Sequence, residues 1–279
     1  MVTAPNRLKS IMILVLLCTL SQGLKSQFKD SLHIHWSFPA AEAHQGVAVD
    51  EHYFYAIGTR VIGKYDKTTG KKIGQWKDTT GEILHLDSGV EFDGKLYCAH
   101  SNYPALPMTS SVEVWDKTNL EHISSHSFGI RWGSFTWLDR HEGYWWAVFA
   151  HYEDYHLKDN DGNDPQNTDP QWTTLVKFDD QWQSLEEWIF PSTVIDRAKP
   201  YSISGGSWGA DGLLYCSGHD RSELYVMQLP KSGSILKHLS TIHFPNEGQG
   251  IAWDKTKRVL YGIQRRQKRV IISAGKGLP

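Results

Sequence analysis

A unit of about 44 residues recurs five times in this chain, and no other property restricts its fold as tightly. The first copy reads HQGVAVDEHYFYAIGTRVIGKYDKTTGKKIGQW from His44. The second is LDSGVEFDGKLYCAHSN followed by SSVEVWDKTNLEHISSHSF. The third is GSFTWLDRHEGYWWAVFAHYE, an insertion, then WTTLVKFDDQWQSLEEWIF. The fourth is SGGSWGADGLLYCSGHDRSELYVMQLPKSGSILKHLSTIHF, and the fifth is GQGIAWDKTKRVLYGIQRRQKRVIIS. Each copy has a glycine-containing start, alternating apolar residues, an Asp-centred turn, a Tyr- or Trp-rich strand and two further strands. Asp-Gly, Thr-Gly and Ser-Gly pairs supply hairpin turns.

Four short strands in about 44 residues make one propeller blade. The fifth copy lacks its outermost strand, and SLHIHWSFP, residues 31–39, resembles the fourth strands KKIGQW and HLSTIHFP. An N-terminal strand that completes the last blade closes the ring and removes two exposed edges. The expectation is an all-β, five-bladed β-propeller in one domain, residues 24–279, with an insertion at 152–172 in blade three. Six or seven blades would need about 40 more residues for each.

The first 23 residues follow another rule. Arg7 and Lys9 precede an apolar run at residues 11–20, closed by small and polar residues. That is the order of a secretory signal, and the run is shorter than the roughly 20 residues of a membrane span. It predicts a secreted or periplasmic protein. Cys18 offers a lipid anchor as the alternative, although Leu17 is bulky for such a processing site. Cys98 and Cys216 then remain, on the second strands of blades two and four. With blade three between them they are too far apart to pair, so no disulfide is expected.

A formal net charge of −2 argues against nucleic acid, which needs a concentrated basic surface. QRRQKR, residues 264–269, is the one basic run and reads as a solvated face. The partner expected instead is a small molecule or glycan, bound by a monomer.

In a propeller each first strand lines the central channel. The loop leading into it shares a face with the loop between the second and third strands. Lead-in positions hold His44 and Gln45, His85 and Asp87, Arg131 and Trp132, Ser202 and Ser204, Glu247 and Gln249. The second set holds Arg60, His100 and Asn102, His151 and Glu153, His219, Asp220 and Arg221, Gln264 and Arg265. The opposite face collects generic turn sequences. Converging polar groups at one mouth are what a ligand site needs.

His100, His151 and His219 stand in three consecutive blades. They read as ligands of a divalent metal ion, with His44 or His85 as a further ligand, or as acid–base groups seconded by Glu247 or Asp87. Arg60, Arg221 and Arg265 suit an anionic group on the substrate. His44, Gln45, His85, Asn102, Trp132 and Gln249 complete the binding surface. The same histidines could equally be a packing feature of the repeat. The insertion carries DNDGND within 159–169, whose alternating oxygens resemble a calcium loop without its closing Glu; a flap over the mouth is the other reading.

The inner-strand motifs QGVAVD from Gln45, GVEFDGKLY at 89–97 and GIAWDKTKRVLYGI at 250–263 resemble those of plant-type glutaminyl cyclases. They also resemble NHL and gluconolactonase-like propellers. The cyclase resemblance implies a five-bladed propeller. In the cyclases a Glu precedes the glycine of the second blade's inner strand, where this chain has Ser88, and His44 stands where the family carries a small or hydroxyl residue. Three functions are therefore expected in this order. The first is an exported lyase or hydrolase acting on a carbohydrate or sugar acid. A non-catalytic glycan- or protein-binding propeller comes second, and a glutaminyl cyclase third.

Overall fold

The computed structural model describes residue 1, residues 31–153 and residues 169–275. The N-terminal segment with Cys18 and nearly all of the 159–169 loop lie outside the described residues. Strand β1 (His33–Pro39) opens the described fold. Blade one is β2 (Gly46–Val49), β3 (Tyr53–Gly58), β4 (Val61–Asp66) and β5 (Lys72–Lys77). Blade two is β6 (His85–Phe92), β7 (Lys95–Ser101), β8 (Ser110–Asp116) and β9 (His122–Gly129). Blade three is β10 (Ser134–His141), β11 (Tyr144–Ala150), β12 (Thr174–Phe178) and β13 (Ser184–Ile189). Blade four is β14 (Gly205–Trp208), β15 (Leu214–Ser217), β16 (Glu223–Gln228) and β17 (Lys237–His243). Blade five is β18 (Ala252–Asp254), β19 (Val259–Gln264) and β20 (Arg269–Ala274), with β1 as its fourth strand.

All five sheets are antiparallel meanders, and the closure is the one the repeat demanded. β1 pairs antiparallel with β20, Trp36 opposite Ile272 and Phe38 opposite Val270. Leu32, just before β1, donates its backbone N–H to His243 of blade four and is almost completely buried. The edge of blade five is thus covered and stitched to its neighbour.

The Asp-centred turns have a local cause. Asp50 Oδ1 accepts the backbone N–H groups of His52 and Tyr53, and Asp50 Oδ2 accepts the Tyr55 hydroxyl at 2.8 Å. Asp211 repeats the device with the Leu213 N–H and the Tyr215 hydroxyl. A carboxylate holding its own hairpin turn explains the recurrence without any role in a site. The cores lie between blades: Trp137 and Trp208 share one cluster, while Tyr55, Cys98 and Trp115 share another. Cys216 packs in the first of these and Cys98 in the second; both thiols are free, and burial pushes both upward.

One element was not expected from the sequence. Helix α1 (Ser192–Ala198) bridges blades three and four, burying Val194, Ile195 and Ala198. Seven residues span too few turns for a 3.6-residue period to stand out. Among the described residues no helix is long and apolar enough to cross a membrane.

The inner strands meet at the axis. A methyl group on Gly46 would lie 3.0 Å from Ser88 Cα, and one on Gly250 would lie 2.8 Å from Gly46 Cα. Gly205 is blocked by the Gln249 carbonyl. These glycines let three backbones approach without side chains. They close the channel, so residues before them line one hollow and residues after them line another.

Candidate functional site

The hollow on the lead-in side has a volume of about 110 Å³ and is lined by His44, Gln45, His85, Asp87, Tyr103, Tyr152, Tyr201, Ser204, His219, Gln249 and Arg265. Seven of the predicted residues therefore meet there: His44, Gln45, His85, Asp87, His219, Gln249 and Arg265. All five blades contribute, blade three through Tyr152 on the segment between its second and third strands.

The predicted trio does not assemble. His100 Nε2 accepts the Leu84 backbone N–H at 2.9 Å, and its Nδ1 lies 2.8 Å from Ser111 Oγ. Ser111 gives its own proton to Glu113 at 2.6 Å, so His100 donates from Nδ1 and is held as the neutral tautomer. Burial lowers its pKa despite the Glu113 carboxylate. His151 Nε2 donates to the Trp132 carbonyl at 2.9 Å. Both rings pin the lead-in segment of their own blade, where a backbone N–H or C=O needs a partner. Tyr201 stacks on His219 at 3.8 Å, the same relation between second-strand end and lead-in, but His219 also lines the hollow. Among the described residues no three His, Cys, Asp or Glu side chains are grouped to hold a metal ion. The three-histidine metal site is thus corrected: two of its rings are turned into their blades.

His44, His85 and His219 form the histidine group that lines the hollow. His85 Nε2 lies 3.6 Å from Asp87 Oδ1 and 3.4 Å from the Gln45 amide nitrogen, between an acceptor and a donor. Burial alone would lower the His85 pKa, but the Asp87 carboxylate outweighs it and holds the ring above its ordinary value. His44 is lowered by burial and by the positive neighbours Arg265, His85 and His219. His219 is lowered by burial, opposed by Asp220, whose Oδ2 lies 2.9 Å from Nδ1. Arg265 donates from Nη1 toward His219 Nε2 at 3.3 Å and also clasps Asp220. One raised and two lowered imidazoles in one hollow provide an acid and bases near neutral pH.

Backbone strain marks the same place. Gln249 adopts φ +70° beside Gly248 at φ +72°, and a Cβ at Gly248 would collide with the His219 backbone. A left-handed glutamine is uncommon and persists only where its surroundings hold it. Here the Gln249 N–H donates to the Gly218 carbonyl and its own carbonyl accepts Ser217 Oγ.

The other predicted residues sit outside the hollow. Arg60 pairs with Asp78 at 2.6 Å. Arg221 is exposed. Asn102 holds its own loop through the Thr109 N–H and the Pro107 carbonyl. Trp132 packs in the blade-three core and donates to Glu187. Glu247 accepts the Arg266 backbone N–H. Each has a local structural partner or lies at the surface, which loop position in a repeat does not reveal. The residues missed were Tyr103, Tyr152 and Tyr201. Tyr103 follows His100 by three residues and Tyr152 follows His151 by one, so no common spacing marked them.

The hollow on the opposite face is larger, about 420 Å³, with Asp50, Glu91, Asp139, Arg140, Trp253 and Asp254 among its lining. Its charges are engaged. Lys67 donates to Asp254 at 2.5 Å, Lys117 to Glu91 at 2.9 Å, and Asp139 accepts from Ser207 and Trp208. It reads as the scaffold's network.

No protein-family model matches this chain, and no curated protein matches it. Among solved structures, Myxococcus xanthus glutaminyl cyclase superposes with a TM-score of 0.58 at 10% identity, covering 88% of this chain and 97% of that one. The fold is that of a β-propeller. Luciferin-regenerating enzyme also matches, with a TM-score of 0.48 at 11% identity, covering 87% of this chain and 95% of its own. At 10% identity the match to the cyclase structure shows shared architecture alone and leaves function to the site.

Proposed function

We propose that this propeller is an enzyme acting on a small polar substrate, of carbohydrate or sugar-acid type, by general acid–base chemistry at His44, His85 and His219. The observation that supports it most is His85, set over the buried carboxylate of Asp87 and facing the hollow beside Gln45. With its pKa raised, His85 holds a proton to give; with theirs lowered, His44 and His219 stay neutral. His44 lines the hollow and its ring makes no hydrogen bond to another described residue, so it is the better placed base. Export rests on the residue order of the first 23 positions.

A non-catalytic binding propeller would use the same hollow. In its favour, His219 Nε2 is taken by Arg265 and Nδ1 faces Asp220. The cyclase reading is weaker, because Ser88 is fully buried at the axis and does not line the hollow. The test is turnover of a panel of sugars, sugar acids and lactones by the wild-type protein and by His85→Gln. An acid–base role predicts a loss of about 10²–10⁴ in kcat. A ligand that binds and is recovered unchanged would favour the binding reading.

A further inference from the structure

The floor of the hollow holds polar side chains that the protein leaves open to an occupant. Gln249 is 2% exposed, Ser204 4% and Asp87 4%. Among the described residues, the Gln249 amide and the Ser204 hydroxyl make no side-chain hydrogen bond, and Asp87 has only His85 at 3.6 Å. Their residues are largely buried while their side-chain polar atoms open into the hollow, so an occupant can supply donors to the carboxylate and exchange bonds with an amide and a hydroxyl.

The carboxylate and the guanidinium that line the hollow are already paired. Arg265 is clasped by Asp220, and Asp87 faces His85. A carboxylate on the ligand would have to compete with Asp220 for Arg265 and lie near Asp87. An ammonium group would meet Asp87 but would have to pass Arg265 at the rim. Neither sign finds an unpaired counter-charge, and burying a charge without one is costly.

We infer that the hollow takes a neutral vicinal diol, the edge of a sugar ring or cyclic polyol, with its hydroxyls on Asp87, Ser204 and Gln249. The inference rests on the proposed function only in taking this hollow as the site. The aromatic walls agree with it. Tyr103 lies 5.2 Å from the His85 ring, and Tyr201 lies flat on His219, so a ring with an apolar C–H face has π surfaces near its polar edge.

The experiment compares D-glucose with D-glucuronate, D-galactose with D-galacturonate, and myo-inositol with ethanolamine. Calorimetry on the full chain gives affinity, and the ring resonances of His85 and His219 report location. At least one neutral sugar should bind about tenfold or more tighter than its uronate, or myo-inositol tighter than the small cation ethanolamine, and move both rings. Asp87→Asn should weaken that binding about tenfold. Gln249→Asn, which keeps a residue tolerant of positive φ, should weaken it severalfold and covers the case in which Asp87→Asn does not fold. Tighter binding of a uronate or of ethanolamine, still with both rings moving, would overturn the inference and leave the proposed site standing. If no compound of any charge moves those rings, the proposed site falls with it.

Discussion

Gly250 donates its backbone N–H to the carbonyl of Gln45 at 2.9 Å, tying blade five to its neighbour, blade one, at their inner strands. The bond forms only because neither Gly46 nor Gly250 carries a side chain there. Gly250→Ala would place a methyl 2.8 Å from Gly46 Cα and 2.8 Å from Ser88 Oγ. The backbone must then move, at a cost of about 1–3 kcal/mol or more. Urea unfolding should show that loss, and ligand affinity should fall too, since the neighbouring Gln249 lines the hollow.

His100 is a structural residue in this account, and the prediction separates it from a metal ligand. His100→Ala strips a partner from the Leu84 N–H, on an exposed residue, and opens the buried Ser111–Glu113 network. Stability should fall by about 1–3 kcal/mol, measured by chemical denaturation, with no change in metal content. Unchanged stability with loss of a stoichiometric metal would contradict the assignment.

Removing residues 31–39 takes away β1 and leaves β20 as an open edge. Soluble, monodisperse protein should be lost or replaced by larger species in size-exclusion chromatography. Removing only the residues before 31 should leave the blade intact.

Activity should be bell-shaped in pH. The acid limb comes from His44 and His219, whose lowered pKa values fall below 6.5, and the basic limb from His85, raised above 6.5. The stability contributions have matching signs. His85 contributes fully below its unfolded value and loses this as pH rises through its raised folded value. His44 and His219 contribute fully above their unfolded value and lose this as pH falls through their lowered folded values. Asp87→Asn removes the charge that raises His85, so the basic limb should move to lower pH.

The repeat made the blades and their closure legible, because period-2 strands and Asp-centred turns are local signals and a missing fifth-blade strand had one candidate. The site was legible by face but not by residue. Loop position identified His44, Gln45, His85, Asp87, His219, Gln249 and Arg265 along with residues that never reach the hollow. What separates His219 from His100 is whether the ring meets a backbone N–H of its own blade or the rings and charges of its neighbours. That depends on side-chain direction across blades, which no single-chain pattern encodes. The expectation of an anionic substrate rested on the arginines, and the Asp78 and Asp220 partners of Arg60 and Arg265 become visible only in the fold.

The most direct test of the central claim is a histidine-resolved NMR titration of the full chain, with rings assigned through single His→Gln variants. The account predicts that His85 titrates above 6.5 and His44 and His219 below it, and that Asp87→Asn lowers the His85 value. His85 titrating at or below His219, or failing to respond to Asp87→Asn, would contradict the acid–base pocket.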